Sequence, residues 1–352
     1  MSIKLGIVGA GGIGRTHLQA AKRAGVEVAC VADVNGAAAA KLAANEGVAR
    51  HTADPDEMFA MPDVAGVIIG VPNKFHKDVA ITALKAGKDV LLEKPMAMST
   101  AECRAVNEVQ RQTKQLLQIG FVRRYMAATV AAKDFINAGK LGTIYHAKAA
   151  WYRRRGIPGL GGWFTTKALS GGGPLIDLGV HLIDNVLYLM GYPKVVRVSG
   201  KTFSHFGKRM KGYAYESMWA GPPRYDGVFD VEDAAQALIR FDTGATFELN
   251  VTWAANVPDD MPNAIWLMGD KAGLWYPHSA DKLNLITEEQ GRNVDMTVKL
   301  PQANGFDEQI RAFVRNIETR EQPHASGSNG ETVQRIIDAI YESSERDREV
   351  EV

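Results

Sequence analysis

Residues 4–14 read Lys4-Leu5-Gly6-Ile7-Val8-Gly9-Ala10-Gly11-Gly12-Ile13-Gly14 (KLGIVGAGGIG), and this junction decides the first domain. Residues 3–8 form a short apolar run, the pattern of a strand buried on both faces of a parallel sheet. A helical pattern follows through Leu18, Ala21 and Ala24. The glycines between strand and helix have separate mechanical uses. Gly9 permits the tight turn, Gly11 lets a pyrophosphate approach the backbone, and Gly14 lets helix and strand pack closely. The helix N-terminus offers N–H groups and partial positive charge to phosphate. Gly9, Gly11, Gly12, Ile13 and Gly14 are thus the expected phosphate-side contacts of a dinucleotide.

Residues 26–32 (VEVACVA) read as the second strand, and Asp33 ends it nineteen residues beyond Gly14. A carboxylate there accepts both hydroxyls of an adenosine ribose and repels a 2′-phosphate. Val34 and Asn35 follow, so no adjacent arginine holds that phosphate, and NAD is expected rather than NADP. Strands at 67–71, 89–92 and 118–121 then alternate with helices. That alternation implies a doubly wound parallel sheet, a Rossmann fold, with ligands at the C-terminal ends of the strands. Pro72, Asn73, His76, Glu93 and Lys94 all fall there and are expected near the cofactor.

The totals bound what surrounds this domain. With 352 residues the chain exceeds one ordinary core, and two domains are expected. A net charge of +1 gives no field toward nucleic acid or membrane surfaces. Cys30 and Cys103 show no CxxC spacing, so neither a disulfide framework nor a metal site is expected, and a reducing cytoplasm fits. No signal peptide or membrane-length apolar run is read.

Beyond residue 122 the pattern changes. Strand-like alternation at 143–152, 195–203, 235–241, 246–253 and 264–268 reads as an antiparallel sheet with one covered face. Residues 327–330 (GSNG) read as a loop before a closing amphipathic helix at 331–344. The expected division is a dinucleotide-binding domain at 1–121 and a substrate and oligomerisation domain at 122–352. The segment 208–230, rich in Gly, Pro, Tyr and Trp, reads as a functional loop, a lid or a subunit contact.

Residues 171–181 (GGGPLIDLGVH) join three glycines to an apolar helix expected over 174–190. Spacings of four and three put Asp177, His181 and Asp184 on one face of a regular helix. Histidine suits proton transfer because its ordinary pKa of about 6.5 lies near operating pH. Upstream, Tyr152, Arg154 and Trp163 are expected to contact substrate, by stacking on a sugar ring or bonding its hydroxyls.

Four motifs in order, GAGGIG, VPNKFH, EKP and GGGPLIDLGVHLID, resemble those of the Gfo/Idh/MocA oxidoreductases. The resemblance implies a second α/β domain built on a large, mostly antiparallel open sheet, and dimers or tetramers formed through it. It implies that Lys94 is the lysine near nicotinamide and substrate, with Asp177 and His181 as the carboxylate and the proton-transferring histidine. Arg124 in GFVRRY would contact substrate, although Met126-Ala127 replaces the Asp-Pro usual after this segment. The expected activity is hydride transfer between NAD and a secondary hydroxyl of a sugar, cyclitol or related polyol. The alternatives are an NADPH-dependent keto-sugar reductase, a glycoside-modifying enzyme using NAD transiently, and a dinucleotide-sensing protein without catalysis.

Overall fold

The computed structural model describes residues 3–215 and 219–352. Its contacts divide into two compact units, one of residues up to Val122 together with Asn304–Gln334, the other of Arg123–Ala303 and Arg335–Val352. The boundary drawn from sequence gave everything after residue 121 to the second domain. The segment 304–334 instead belongs with the first unit.

The first unit is built from β1 (Lys4–Val8), α1 (Gly12–Arg23), β2 (Glu27–Ala32), α2 (Gly36–Glu46), β3 (Arg50–Thr52), α3 (Pro55–Phe59), β4 (Gly66–Ile69), α4 (His76–Lys85), β5 (Asp89–Leu92), α5 (Thr100–Thr113) and β6 (Leu117–Ile119). The six strands are parallel, in the order β3-β2-β1-β4-β5-β6. The order reverses beside β1, so the glycine turn lies at the switch point where doubly wound folds bind ligands. β4 and β5 are buried along their whole length, which is why they read as unbroken apolar runs. Leu5, Ile7, Ile68 and Leu91 of the sheet form one core with Leu18 and Ala21 of α1.

The second unit contains α6 (Ala127–Asn137), β7 (Ile144–Tyr152), α7 (Lys167–Ser170), α8 (Val180–Met190), β8 (Val195–Phe203), β9 (Ala234–Phe241), β10 (Thr246–Thr252), β11 (Ala264–Gly269), β12 (Gly273–Pro277), β13 (Leu283–Glu289) and β14 (Arg292–Val298). The chain continues through α9 (Gly305–Thr319), α10 (Gly327–Arg346) and β15 (Val350–Glu351). Nine strands form one sheet, ordered β14-β13-β12-β11-β7-β10-β9-β8-β15 and antiparallel except for the β7–β10 pair. Ala147, Ala149, Leu249, Val251, Ala237 and Ile239 alternate onto its covered face.

α9 packs on α1 in the first unit, where Ile310, Phe313 and Ile317 complete that core and Arg23 grips Asp307 with two nitrogens at 2.8–3.1 Å. Residues 327–330, read as a loop, are instead the first turn of α10. Ser326 and Asn329 start that helix reciprocally, each backbone N–H donating to the other's side-chain oxygen. Among the described residues no helix is long and apolar enough to cross a membrane.

Candidate active site

The first unit assigns each glycine of its turn a distinct constraint. Gly9 has φ +104°, and a Cβ there would lie 2.4 Å from the Gly70 carbonyl oxygen. At Gly14 a Cβ would lie 1.8 Å from the Gly9 carbonyl oxygen. Gly11 and Gly12 differ, since a Cβ on either meets nothing within 4 Å. Gly11 is the N-cap of α1 and no side chain caps it. Backbone donors therefore face open space at a helix N-terminus, a cradle that fits a diphosphate. Asp33 stands beside it, held by backbone N–H groups of Ala10 at 2.7 Å and Asn35 at 2.8 Å. A carboxylate fixed there disfavours a second phosphate.

The strand-end residues are tied together by hydrogen bonds. His76 spans Pro95 O at 2.6 Å and Val71 O at 2.9 Å, linking the segments after β4 and β5. Burial pushes its pKa down, against the pull of those two carbonyls. Neighbouring Asn73 is buried, and Pro72 is half-buried. Glu93 accepts from the Lys94 N–H at 3.1 Å and bonds His17 Nε2 at 2.7 Å. Burial pushes the Glu93 carboxyl up, but the His17 bond and the Lys94 charge win and hold it below its ordinary range. Glu93 therefore fixes the start of the Lys94 segment. His17 was missed in the sequence; its place one turn beyond Gly14 on α1 was the available signal.

In the second unit the helix carrying Asp177 and His181 is not regular. Leu175–Gly179 forms a π-helical turn, with Val180 N donating to Leu175 O, before α8 begins. Such turns recur at functional sites because one residue is pushed out of the regular spiral. The expectation of one face for Asp177, His181 and Asp184 is corrected for Asp184 alone, since Asp177 and His181 both meet the Trp151 and Arg153 side of the sheet. Asp177 meets the covered sheet face, where Trp253 Nε1 donates to its Oδ2 at 3.0 Å and Arg153 Nη1 stands 3.8 Å away. His181 lies near Trp151, with ring centroids 6.4 Å apart. Asp184 is fully buried elsewhere, against Arg124.

That pair corrects the reading of Arg124 as a substrate contact. Its guanidinium is 1% exposed, bonded to Asp184 at 3.0 and 2.5 Å and to the Tyr192 hydroxyl, beneath the Tyr188 ring. Burial opposes the charge, but Asp184 more than compensates, so the pKa lies above its ordinary value. Arg124 thus anchors α8 from below.

Strand parity sorts the other candidates. Trp151 and Arg153 share the side of the sheet that meets His181 and Asp177, whereas Tyr152 faces the other side with Glu248. Burial and the Glu248 charge push the Tyr152 hydroxyl pKa up. Arg154 is exposed and pairs with Asp259 at 3.2 Å. Trp163 stacks on Phe164 at 3.8 Å, and Phe164 meets Trp253 edge-on at 6.5 Å, so it joins the Asp177 surroundings at one remove. Arg123 lies over Trp151 at 4.5 Å, and burial lowers its pKa to about 10. His278 stacks on Trp151 at 4.6 Å; burial and the Arg123 charge push its pKa to about 3, so it stays neutral. Of the 208–230 loop, residues 216–218 lie outside the described residues, and Trp219 is 64% exposed beside Phe164.

The glycine triplet has its own partner. Glu232 Oε1 accepts from Gly173 N at 2.9 Å, Leu175 N at 3.1 Å and the Tyr341 hydroxyl at 3.0 Å. A Cβ on Gly173 would lie 2.0 Å from the Glu232 carbonyl oxygen. Burial raises the Glu232 pKa although all three donors pull it down. Among the described residues no group of three His, Cys, Asp or Glu could hold a metal ion.

Comparison with known proteins adds two family matches. Residues 3–121 match the model of the oxidoreductase family with an NAD-binding Rossmann fold, and residues 129–275 match the GFO/IDH/MocA C-terminal domain. A D-glucoside 3-dehydrogenase of Escherichia coli (strain K12) is 30% identical over 99% of this chain and 97% of its own. An inositol 2-dehydrogenase of Salmonella typhimurium is 40% identical over 45% of this chain and 48% of its own. Among solved structures, an oxidoreductase domain protein from Kribbella flavida superposes with a TM-score of 0.88 at 25% identity, covering 100% of this chain and 99% of that one.

Proposed function

The chain belongs to the Gfo/Idh/MocA family of NAD-binding oxidoreductases, and from that premise we propose that it oxidises a secondary hydroxyl of a sugar, glycoside or cyclitol with NAD. The observation that carries this reading is the covered-face wall of the second unit. There an imidazole and a carboxylate stand on a π-distorted helix beside aromatic rings and a guanidinium.

Bound nicotinamide supplies the hydride chemistry; the protein supplies position and charge. His181 accepts the hydroxyl proton as the carbonyl forms, and returns it in the reverse direction. Asp177, oriented by Trp253, accepts hydrogen bonds from substrate hydroxyls. Lys94 supplies a cation to stabilise developing alkoxide charge. In the first unit, the N–H groups at Gly11, Gly12 and Ile13 hold the diphosphate and Asp33 the ribose, with Pro72, Asn73 and His76 shaping the strand ends around it. This chain's likeness to the D-glucoside 3-dehydrogenase favours a glucoside over an open-chain polyol. The uncovered face of the nine-stranded sheet carries Trp266, Met268, Trp275 and Ile286, which supports association of copies through it.

The test is to incubate the purified protein with NAD or NADP and a panel of methyl glycosides, aldoses and inositols, following absorbance of the reduced cofactor. Turnover of at least one secondary alcohol with NAD is expected; none with any compound overturns the reading. Asp33→Ala should weaken NAD binding and raise relative use of NADP, and an unchanged preference would sink the ribose assignment.

A further inference from the structure

The basic triplet 153–155 holds one member unlike the others. Arg153 follows β7 directly, and its main chain is locked to Thr252: its N–H meets Thr252 O and Oγ1 at 3.1 Å, and its carbonyl accepts from that hydroxyl at 3.0 Å. Its side chain is 19% exposed, against 52% for Arg154. The stem runs across Gly156, where a Cβ would lie 2.8 Å from Arg153 Cδ. Burial lowers the guanidinium's pKa, against the attraction of the Asp177 charge.

The hydrogen bonding of this guanidinium is incomplete. Nη1 donates to Gly156 O at 3.3 Å and stands 3.8 Å from Asp177 Oδ2. The second distance is beyond hydrogen-bond range. Among the described residues Nε and Nη2 donate to no protein acceptor. These donors keep some exposure, with the side chain 19% accessible, and so are open to an incoming acceptor. An oxygen at ordinary distances of about 2.7–2.9 Å from both Nη1 and Oδ2 bridges the 3.8 Å separation between them. A hydroxyl suits the gap because it accepts and donates at once.

Resting on the reading of Asp177 and His181 as the substrate wall, we propose that Arg153 is a substrate-recognition residue. A second hydroxyl of the sugar, other than the one oxidised, inserts between Arg153 Nη1 and Asp177 Oδ2. It accepts from the guanidinium and donates to the carboxylate. The Trp253 indole N–H fixes Oδ2, and Trp151, 5.7 Å from the guanidinium and near His181, gives the site an aromatic side. The site therefore selects substrates with at least two hydroxyls, and rejects those lacking the bridging one.

The experiment pairs Arg153→Met and Arg153→Lys with methyl β-D-glucopyranoside and its 2-, 4- and 6-deoxy analogues. Arg153→Met should raise KM for the parent glycoside by about 10- to 100-fold, the scale of one charge-assisted hydrogen bond, with little change in kcat. One deoxy analogue should show no further loss in the variant, because its bridging hydroxyl is already gone. Equal losses for every analogue, or an unchanged KM, overturn the proposal and leave Arg153 a structural partner of Asp177 or the gap a water site. Melting curves check folding; if Arg153→Met is unstable, Arg153→Lys carries the same analogue comparison. If the wild type oxidises none of these sugars, the reading of the reaction fails, and intrinsic fluorescence of the NADH-loaded protein titrated with methyl β-D-glucopyranoside still decides. A saturable change abolished in the variants supports Arg153; one retained by them, or absent from the wild type, overturns it.

Discussion

Two stretches of this chain place glycines directly before a helix, and they use that arrangement in opposite ways. At 9–14 the N-terminus of α1 carries no side-chain cap, and the space around Gly11 and Gly12 is open. At 171–175 the equivalent donors are occupied, because Glu232 takes the N–H groups of Gly173 and Leu175. The first junction has unspent donors for an anionic ligand. The second is plugged by the protein's own carboxylate, and on the proposed reading its chemistry falls to the side chains Asp177 and His181. Glycine before a helix is therefore a statement about close approach, and the approaching group differs.

The strongest way to break this comparison is to remove the chemistry from the second junction. His181→Ala should lower kcat by about 10²–10⁴-fold while leaving NAD affinity, measured by fluorescence quenching, near the wild-type value. Near-normal turnover would move the proton acceptor elsewhere. Next comes an exchange of single methyl groups. Gly173→Ala pushes a Cβ to 2.0 Å from a backbone oxygen and should cost about 1–3 kcal/mol of stability by denaturant titration. Gly11→Ala meets nothing and should leave the melting temperature nearly unchanged while weakening NAD binding. If both variants destabilise alike, the open-versus-plugged distinction is wrong.

The smallest effect sharpens the contrast through pH. The Glu93 carboxyl titrates below its ordinary range, so it adds stability above about pH 4.3, the unfolded value, which is lost as pH falls through the lowered folded pKa. The Glu232 carboxyl titrates above that range, so it costs stability at neutral pH, and the cost is relieved as pH falls through its raised folded pKa. On acidification the wild type should lose ground relative to Glu93→Gln and gain ground relative to Glu232→Gln. Thermal melts from pH 7 down to about pH 2.5 check the two signs, the Glu232 effect in the upper part of that range and the Glu93 effect below about pH 4.3.

What could be read from sequence was local. The β1–turn–α1 junction, the strand at 89–92 and the strand at 195–203 were legible because buried strands write apolar runs or period-two alternation directly into the chain. β14 was not read, although Val294, Met296 and Val298 alternate with Asn293, Asp295 and Thr297, because this short stretch is almost all exposed and has no unbroken apolar run. Residues 327–330 looked like a loop because Gly, Ser and Asn usually are, yet Ser326 and Asn329 cap each other and start α10. Parity in β7 held the clue that Arg153, not Arg154, shares a side with Trp151, but no local rule named that side. Arg124 looked available to substrate because nothing near it in sequence announces Asp184, sixty residues away.

By itself the sequence determined the fold class, the glycine turn and the pairing of a carboxylate with an imidazole on one short segment. These follow from backbone sterics and hydrophobic periodicity, which act over a few residues. Only the tertiary structure decided which charges are spent and which face the wall beside Asp177. Glu93 is consumed by His17 across 76 residues, Glu232 by Gly173 across 59, and Arg124 by Asp184 across 60. A buried ionisable group takes its partner from whatever the packing brings near, and that proximity is written in no single stretch of the chain.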